Sequence, residues 1–241
     1  MGAQSADGIV RRRSKLRAYL LLARVSNLPT VWTNVLAAYV IAGASFDSLL
    51  IASLSLSLFY TGGMFLNDAF DARFDSHARP DRPIPNGDAS QREVFIIGFA
   101  LLAIGESLLV LQPFPTRAAR WGLALAAAIV FYDYAHKDKL YGPIVMGLCR
   151  ALVYLVAASS ATGIEPYRVV GAASVMMAYV MTLTYVAKLA GRGDWVPWLI
   201  AGICIVDAIF ITMAGGGPVA GTVAIVGFIV TLALQRVVPG T

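Results

Sequence analysis

Three aspartates and an asparagine recur at helical spacing near one end of a long apolar segment of this sequence. Asn67, Asp71 and Asp75 are each four residues apart and Asp68 precedes Asp71 by three, so one face of a helix can carry all four side chains. Like charges on one face repel each other, and acids near the C-terminal end of a helix oppose its dipole. The pattern therefore predicts a bound cation, and these hard oxygen ligands favour Mg²⁺.

The elements that position these residues are apolar. The chain has 241 residues, is 58% hydrophobic and contains successive apolar runs, each long enough to cross a bilayer, which takes about 20 residues. A transmembrane barrel would need period-two alternation, which these runs lack. We therefore predict an all-α fold, a polytopic transmembrane helical bundle with eight spans, near residues 24–44, 48–67, 93–112, 117–134, 142–161, 168–189, 195–213 and 217–236.

The distribution of Lys and Arg predicts the orientation of these spans. With a cytoplasmic N-terminus most basic residues fall at cytoplasmic span ends, and only Arg117, Arg120 and Arg168 fall at the opposite ends. Both termini are then cytoplasmic, and the formal charge of +5 reflects topology in the lipid bilayer; a nucleic acid partner is not expected. We divide the chain into a basic cytoplasmic arm at 1–23, one transmembrane domain at 24–236 and a short tail at 237–241.

Basic residues accompany the acids on the cytoplasmic side. Three prolines stiffen the loop that contains Arg79 and Arg82, while Lys137 follows the fourth predicted span and Lys188 ends the sixth. Taken singly, each is equally typical of a positive-inside loop. Together with Arg73 they predict a site for a polyanion that Mg²⁺ bridges to the carboxylates, and the membrane setting favours an isoprenyl diphosphate.

Three further ionisable residues, Glu106, Arg150 and Asp207, fall inside predicted spans. Each would cost about 2.5–3.5 kcal/mol at mid-membrane. We expect them to face the interior of the bundle or to lie at shallow depth, and we assign no catalytic role to Asp207.

The acidic pattern also resembles a known signature. Asn67-Asp68-x-x-Asp71-x-x-x-Asp75, followed by Arg82-Pro83-Ile84-Pro85-Asn86-Gly87 and Ser90-x-x-Glu93, is similar to the motif of the UbiA superfamily of intramembrane prenyltransferases. The similarity extends through Asn27-Leu28-Pro29-Thr30, Asn34, Lys137 and Gly147. The run from His136 to Arg150 also resembles a small bacterial branch, the EboC-like proteins.

The resemblance implies a helical bundle around a central cavity that opens to the cytoplasm, in a bacterial inner membrane. In the family, two aspartate-rich motifs hold Mg²⁺ and a prenyl diphosphate, and the prenyl group passes to a lipophilic or aromatic acceptor after metal-assisted ionisation. The first motif transfers to Asn67, Asp68, Asp71 and Asp75 as metal ligands, with Asp68 and Asp71 as the catalytic pair. We expect Arg24, Asn34, Tyr134 and Tyr185 to line the cavity.

The second aspartate-rich motif is incomplete. Where the family has Asp-x-x-x-Asp after the sixth span, this chain has Asp194 alone, and Asp133, one turn before Lys137, is a candidate substitute. The chain also shows eight predicted spans instead of the nine usual in the family, which suggests that the last helix is lost. Two alternatives to a prenyltransferase stay open: an intramembrane terpene cyclase, and a non-catalytic component that binds or transports prenyl lipids.

Overall fold

A computed structural model describes residues 13–135, 141–163, 166–190 and 193–240 of the chain. All regular structure in these ranges is helical, which confirms the all-α prediction. The helices are α1 (Lys15–Ala23), α2 (Leu28–Ala42), α3 (Leu49–Ala78), α4 (Gln91–Leu109), α5 (Pro115–Ala135), α6 (Gly142–Thr162), α7 (Tyr167–Ala190), α8 (Val196–Met213) and α9 (Gly217–Gln235).

Local sequence signals explain where these helices begin and end. Helices α2, α6, α8 and α9 each carry proline in the first turn, where no hydrogen-bond donor is needed. Gly43 and Gly163 end α2 and α6 in the left-handed conformation, at φ of +66° and +71°. Ser90 and Glu93 form a capping box at the start of α4, with the Glu93 amide 3.2 Å from the Ser90 hydroxyl oxygen. Each of these helix ends thus has a local cause.

Among the helices that the structure describes, five are long and apolar enough to cross a membrane, namely α3, α6, α7, α8 and α9. The protein is therefore a multi-pass membrane protein. Each of the eight predicted spans coincides with one of the helices α2 to α9. Because α2, α4 and α5 fall outside the set of five, the count of eight spans stays a prediction.

Helix α2 is central in the bundle. It packs against α3, α6, α7, α8 and α9, whereas α3 pairs mainly with α4, α6 with α7, and α8 with α9. The α3–α4 pair is close because glycines face each other: a Cβ on Gly62 would lie 2.8 Å from the carbonyl oxygen of Gly98. This packing fixes α3, which carries the acidic residues, relative to the bundle interior.

The first predicted span, 24–44, is not one continuous helix. Helix α1 ends at Ala23, Arg24 adopts a left-handed conformation with φ of +44°, and a short 3-10 turn at Val25–Asn27 leads into α2. The proline at position 29 lies in the first turn of α2 and explains why the helix restarts there. The break places the Arg24 side chain at a corner between α1 and α2.

Part of the predicted N-terminal arm is ordered as α1. Leu22 and Ala23 share an apolar cluster with Phe65 and Val94, from α3 and α4. Tyr19 donates a hydrogen bond to Glu93, and the Lys15 ammonium lies 2.8 Å from the same carboxylate. These contacts dock α1 beside the acidic end of α3.

Helix α3 extends beyond its apolar part to Ala78, so that its last turns carry the acidic pattern. After α9, the chain folds back toward α2: the Asn27 amide donates to the carbonyl of Gly240, and Gln235 donates to Asn27. The loop after α3 and the tail after α9 both border the functional site described next.

Candidate functional site

The four residues of the acidic pattern are all buried on α3. Asn67, Asp68, Asp71 and Asp75 are only 8%, 5%, 4% and 1% exposed. The helix therefore presents the acidic face to the interior of the protein, as the spacing predicted. A solvated acidic helix end would instead leave these carboxylates exposed.

Three arginines meet these carboxylates. Arg82 Nη1 lies 2.8 Å from Asp68 Oδ1 and 3.1 Å from Asp75 Oδ2, so one guanidinium links the two acids. Arg79 Nε is 2.9 Å from Asp75 Oδ1, and Arg24 Nη2 is 3.0 Å from Asp68 Oδ1. Guanidinium groups thus supply cationic charge to the acidic face.

Two of these arginines lie in energetically unfavourable environments. Burial lowers the pKa of Arg82, and the negative charge of its neighbour Asp68 opposes this shift. Arg24 is the only non-glycine residue with a positive φ among residues 13–135, 141–163, 166–190 and 193–240, and this conformation is unfavourable for a residue with a Cβ. Backbone strain at a binding residue is typical of functional sites.

Asp133 of α5 joins the acidic pattern through an amide. Asn67 Nδ2 donates to Asp133 Oδ1 at 3.2 Å, while Asn67 Oδ1 accepts a bond from Arg24 at 3.3 Å. Asp133 is 3% exposed, and its Oδ2 has no hydrogen-bond partner within the part of the chain that the structure describes. This places a fourth carboxylate beside the first motif, supplied by a different helix.

A cavity of about 380 Å³ lies against this cluster. Its polar lining includes Arg24, Asn27, Asn67, Asp71, Arg79, Arg82, Arg150, Thr184 and Lys188, and its other walls include Tyr60, Met64, Tyr132, Met146 and Ile203. It thus combines the Asp71 carboxylate, cations, aromatic rings and aliphatic side chains in one space. Such a lining suits an amphiphilic anion.

A second cavity, of about 420 Å³, lies on the other side of the arginine cluster. Its walls include Arg13 and Arg17 near α1, Arg236 after α9, and the three arginines that pair with the acids. Asp68 and Asp81 are its acidic residues. The arginine cluster therefore forms a positively charged partition between the two cavities.

The family model of the UbiA prenyltransferase family matches residues 27–214. That match covers α2 to α8 and therefore the acidic pattern, the arginine loop and the cavity. The chain belongs to the UbiA prenyltransferase family.

Members of this family with assigned names match part of the chain. A digeranylgeranylglyceryl phosphate synthase from Ignicoccus hospitalis is 37% identical over 128 residues, which is 53% of this chain and 41% of that protein. The corresponding protein from Methanopyrus kandleri is 34% identical over 133 residues, 55% of this chain and 47% of its own length. The chain spans about half the length of the curated relatives it matches.

Solved structures share the fold. A structure of a digeranylgeranylglyceryl phosphate synthase superimposes with a TM-score of 0.60 at 18% identity, covering 93% of this chain and 88% of that one. A UbiA homologue from Archaeoglobus fulgidus bound to DMAPP and Mg²⁺ also gives 0.60, at 16% identity, with 91% and 86% covered. At these identities the likeness establishes the UbiA fold.

Not every residue that the sequence indicated lies at the UbiA cavity. Arg79, Arg82 and Lys188, three of the predicted anion ligands, line it, and so does Arg24, which was predicted to line the cavity. Arg73 and Asp194 are exposed and line neither of the two cavities. Lys137 lies outside the described residues.

The two tyrosines expected to line the cavity lie outside it. Tyr134 and Tyr185 are 77% and 50% exposed and do not line the cavity. Tyr132, two positions before Tyr134, and Thr184, one position before Tyr185, do line it. Each residue turns a helix by about 100°, so a shift of one or two positions points a side chain to a different side of the helix.

Asn34 is fully buried and does not line the cavity, but it contacts a residue that does. Its Oδ1 accepts a bond of 2.8 Å from Arg150 Nη1, and its Nδ2 donates to both oxygens of Asp207 at 3.0 and 2.8 Å. The sequence predicts only that Arg150 faces the bundle interior or lies at shallow depth, although an ionisable residue inside a span is itself a signal of function.

A metal ion at the acidic cluster would need further ligands from its substrate or from water. Within the described ranges, no three or more His, Cys, Asp or Glu side chains are arranged to hold a metal by themselves. Mg²⁺ does not need such a cage, since it typically takes one or two carboxylates and completes its shell with water and phosphate oxygens. Buried carboxylates next to anion-binding arginines fit a metal that arrives with its substrate.

Proposed function

We propose that this chain is an intramembrane prenyltransferase that transfers an isoprenyl group from a prenyl diphosphate to a lipophilic or aromatic acceptor. The observation that carries the proposal is that Asn67, Asp71 and three arginines line one cavity with aromatic and aliphatic walls, and that the same arginines pair with the buried Asp68 and Asp75. The family, and relatives named digeranylgeranylglyceryl phosphate synthase, support it.

Mg²⁺ is the cofactor that we propose, in agreement with a fold relative that binds Mg²⁺ and DMAPP. Asp68 and Asp71 are the proposed catalytic ligands, with Asn67 and Asp75 beside them. Asp133 stands in for the missing second motif, because Asn67 already connects it to the first. When bound, the metal would neutralise the diphosphate and favour its departure.

Side chains of the protein bind the diphosphate and stabilise the charges that develop during transfer. Arg24, Arg79, Arg82 and Lys188 bind the outer diphosphate oxygens and stabilise the charge that develops there. As the allylic C–O bond breaks, its electron pair stays with the diphosphate, and the acceptor's nucleophilic atom attacks the allylic carbon and loses a proton. The rings of Tyr60 and Tyr132 face the cavity, where their π-electrons favour positive charge.

We place the cavity mouth on the cytoplasmic side of a bacterial inner membrane, with both termini cytoplasmic. The Lys and Arg bias supports this orientation. Proteolysis of an added C-terminal tag in inside-out and right-side-out vesicles would test it, and cleavage from the periplasmic side would contradict it.

The activity test uses purified full-length chain, radiolabelled prenyl diphosphates and Mg²⁺, with and without acceptors. Transfer to an acceptor, lost in Asp68→Ala and Asp71→Ala, is the expected result. A cyclic hydrocarbon formed without an acceptor would favour the terpene cyclase. Turnover that neither variant reduces would contradict the metal mechanism.

A further inference from the structure

The second cavity, of about 420 Å³, is lined mainly by arginines from three separate parts of the chain. Two aspartates, Asp68 and Asp81, also line it, and its apolar walls include Leu21 and Val237. The arginines come from the α1 region, from the loop after α3 and from the tail after α9: Arg13, Arg17, Arg24, Arg79, Arg82 and Arg236. The cavity therefore has a strong surplus of positive charge.

Half of these arginines line the second cavity and not the first. They are Arg13, Arg17 and Arg236. All three also lie outside residues 27–214, the range that the family model matches. The features that place the chain in its family therefore do not account for this cavity.

The wall formed by the start of α1 is anchored to the loop after α3. The Arg13 backbone amide donates to Asp88 Oδ1 at 3.0 Å, and Arg13 Nη1 donates to the carbonyl of Asp81 at 2.8 Å. Asp88 is 6% exposed and also accepts a bond from Asn86. These bonds fix the Arg13 side chain beside the cavity.

The wall formed by the tail is anchored on both sides of Arg236. Gln235 Nε2 donates to Asn27 Oδ1 at 3.0 Å, and Asn27 Nδ2 donates to the carbonyl of Gly240 at 3.0 Å. The tail thus lies against the corner between α1 and α2. Its position brings Arg236 to the same cavity as Arg17 of α1.

The carboxylates of the described residues leave part of this charge uncompensated. Asp68 pairs with Arg24 and Arg82. None of the ion pairs among residues 13–135, 141–163, 166–190 and 193–240 includes Arg17 or Arg236. Like charges around one space repel each other, and an anion between them replaces this repulsion with attraction.

We propose that the second cavity binds a phosphate group, carried by an anionic lipid headgroup or free in solution. Guanidinium groups suit phosphate because they donate paired, charge-assisted hydrogen bonds to its oxygens. Basic pockets between membrane helices on the cytoplasmic side are typical sites for anionic lipid headgroups, and Leu21 and Val237 can contact the apolar part of such a lipid. A phosphate bound there connects α1, the loop after α3 and the tail, so we expect binding to stabilise the protein.

Thermal unfolding of the purified full-length chain in detergent tests this. All samples contain EDTA, so the proposed magnesium-dependent diphosphate site does not contribute. One arm adds phosphatidylglycerol or phosphatidylcholine with the same acyl chains, and the other replaces chloride by inorganic phosphate at constant ionic strength. We expect phosphatidylglycerol to raise Tm more than phosphatidylcholine, or phosphate more than chloride, and the responding arm identifies the source of the phosphate group.

A double variant connects the response to the cavity. Arg17→Gln with Arg236→Gln should weaken the apparent affinity for the responding probe about tenfold or more, whereas Arg17→Lys with Arg236→Lys should retain most of it. Both residues are exposed, so we expect the Gln variant to fold and to have a Tm close to that of wild type without added probe. Its magnesium-dependent binding of geranyl diphosphate should stay within about twofold of wild type, because neither residue lines the first cavity.

Arg73→Gln with Arg92→Gln is the matched control. It removes the same number of charges from exposed arginines that line neither cavity, and its response to the probe should equal that of wild type. The inference would be overturned by a wild-type Tm that responds in neither arm, by an unchanged response in the Arg17 and Arg236 variant, or by an equal loss in the control. A wild-type chain that responds to the probe but does not bind geranyl diphosphate with Mg²⁺ would contradict the proposed function and leave the phosphate site standing.

Discussion

Replacing Arg82 by Gln removes the guanidinium that links two buried acids. In wild type its Nη1 lies 2.8 Å from Asp68 and 3.1 Å from Asp75, and the Arg82 side chain is 12% exposed. Without it, two carboxylates with side-chain exposures of 7% and 1% face each other with less compensating charge.

The contacts that remain in Arg82→Gln set the size of the expected loss in stability. Breaking a buried ion pair costs roughly 3–5 kcal/mol. Arg24 still pairs with Asp68 and Arg79 with Asp75, so we expect a smaller loss than this range, about 2–3 kcal/mol. For a chain of this size that lowers Tm by about 4–12 °C.

Magnesium should reverse part of this loss, because a divalent cation can replace the missing positive charge. Thermal unfolding in detergent, with EDTA or millimolar Mg²⁺, measures the effect. We expect Mg²⁺ to raise the Tm of Arg82→Gln clearly more than that of wild type, where the arginine competes with the metal.

Arg73→Gln is the matched control, because Arg73 lies on the same helix but is exposed. Its Tm and its response to Mg²⁺ should match wild type. An Arg82→Gln protein that melts like wild type, or one that gains no more from Mg²⁺ than wild type does, would refute the view that the arginines compensate the acidic face.

Two further predictions concern packing and the second motif. Gly62→Val should destabilise the protein by about 2–4 kcal/mol, because the valine side chain would meet the Gly98 backbone on α4. Chemical or thermal unfolding would measure this loss. Unchanged stability would show that α3 and α4 can separate without a loss of stability. In calorimetric titrations, Asp133→Asn should weaken Mg²⁺-dependent binding of prenyl diphosphate, whereas Asp194→Asn should not. The reverse result would show that Asp194, and not Asp133, serves as the second motif.

Local spacing accounts for the part of the site that the sequence predicted. The four acidic-pattern residues share a face because helical geometry repeats every few residues, and the prolines after α3 lie in the loop that brings Arg79 and Arg82 back onto the acids. The capping box of α4 also needs only residues that are neighbours in sequence. Such features depend on local geometry alone.

Contacts between distant segments could not be predicted in this way. Arg150 and Asn34 are 116 positions apart, and their meeting depends on the packing of α6 against α2. The left-handed Arg24 carries no residue-type signal, since glycine is the residue normally expected there. Tyr132 lines the cavity and Tyr134 does not, because the sequence gives the composition of a helix end but not the rotation of the helix in the bundle.

The most direct test of the central claim is the binding of geranyl diphosphate to the purified chain by calorimetry, with Mg²⁺ or with EDTA. The acidic face of α3 predicts binding that requires Mg²⁺ and that weakens about tenfold or more in Asp68→Asn and Asp71→Asn. Binding of equal strength in EDTA, or equal strength in both variants, would contradict the claim that these carboxylates hold a metal-bound diphosphate.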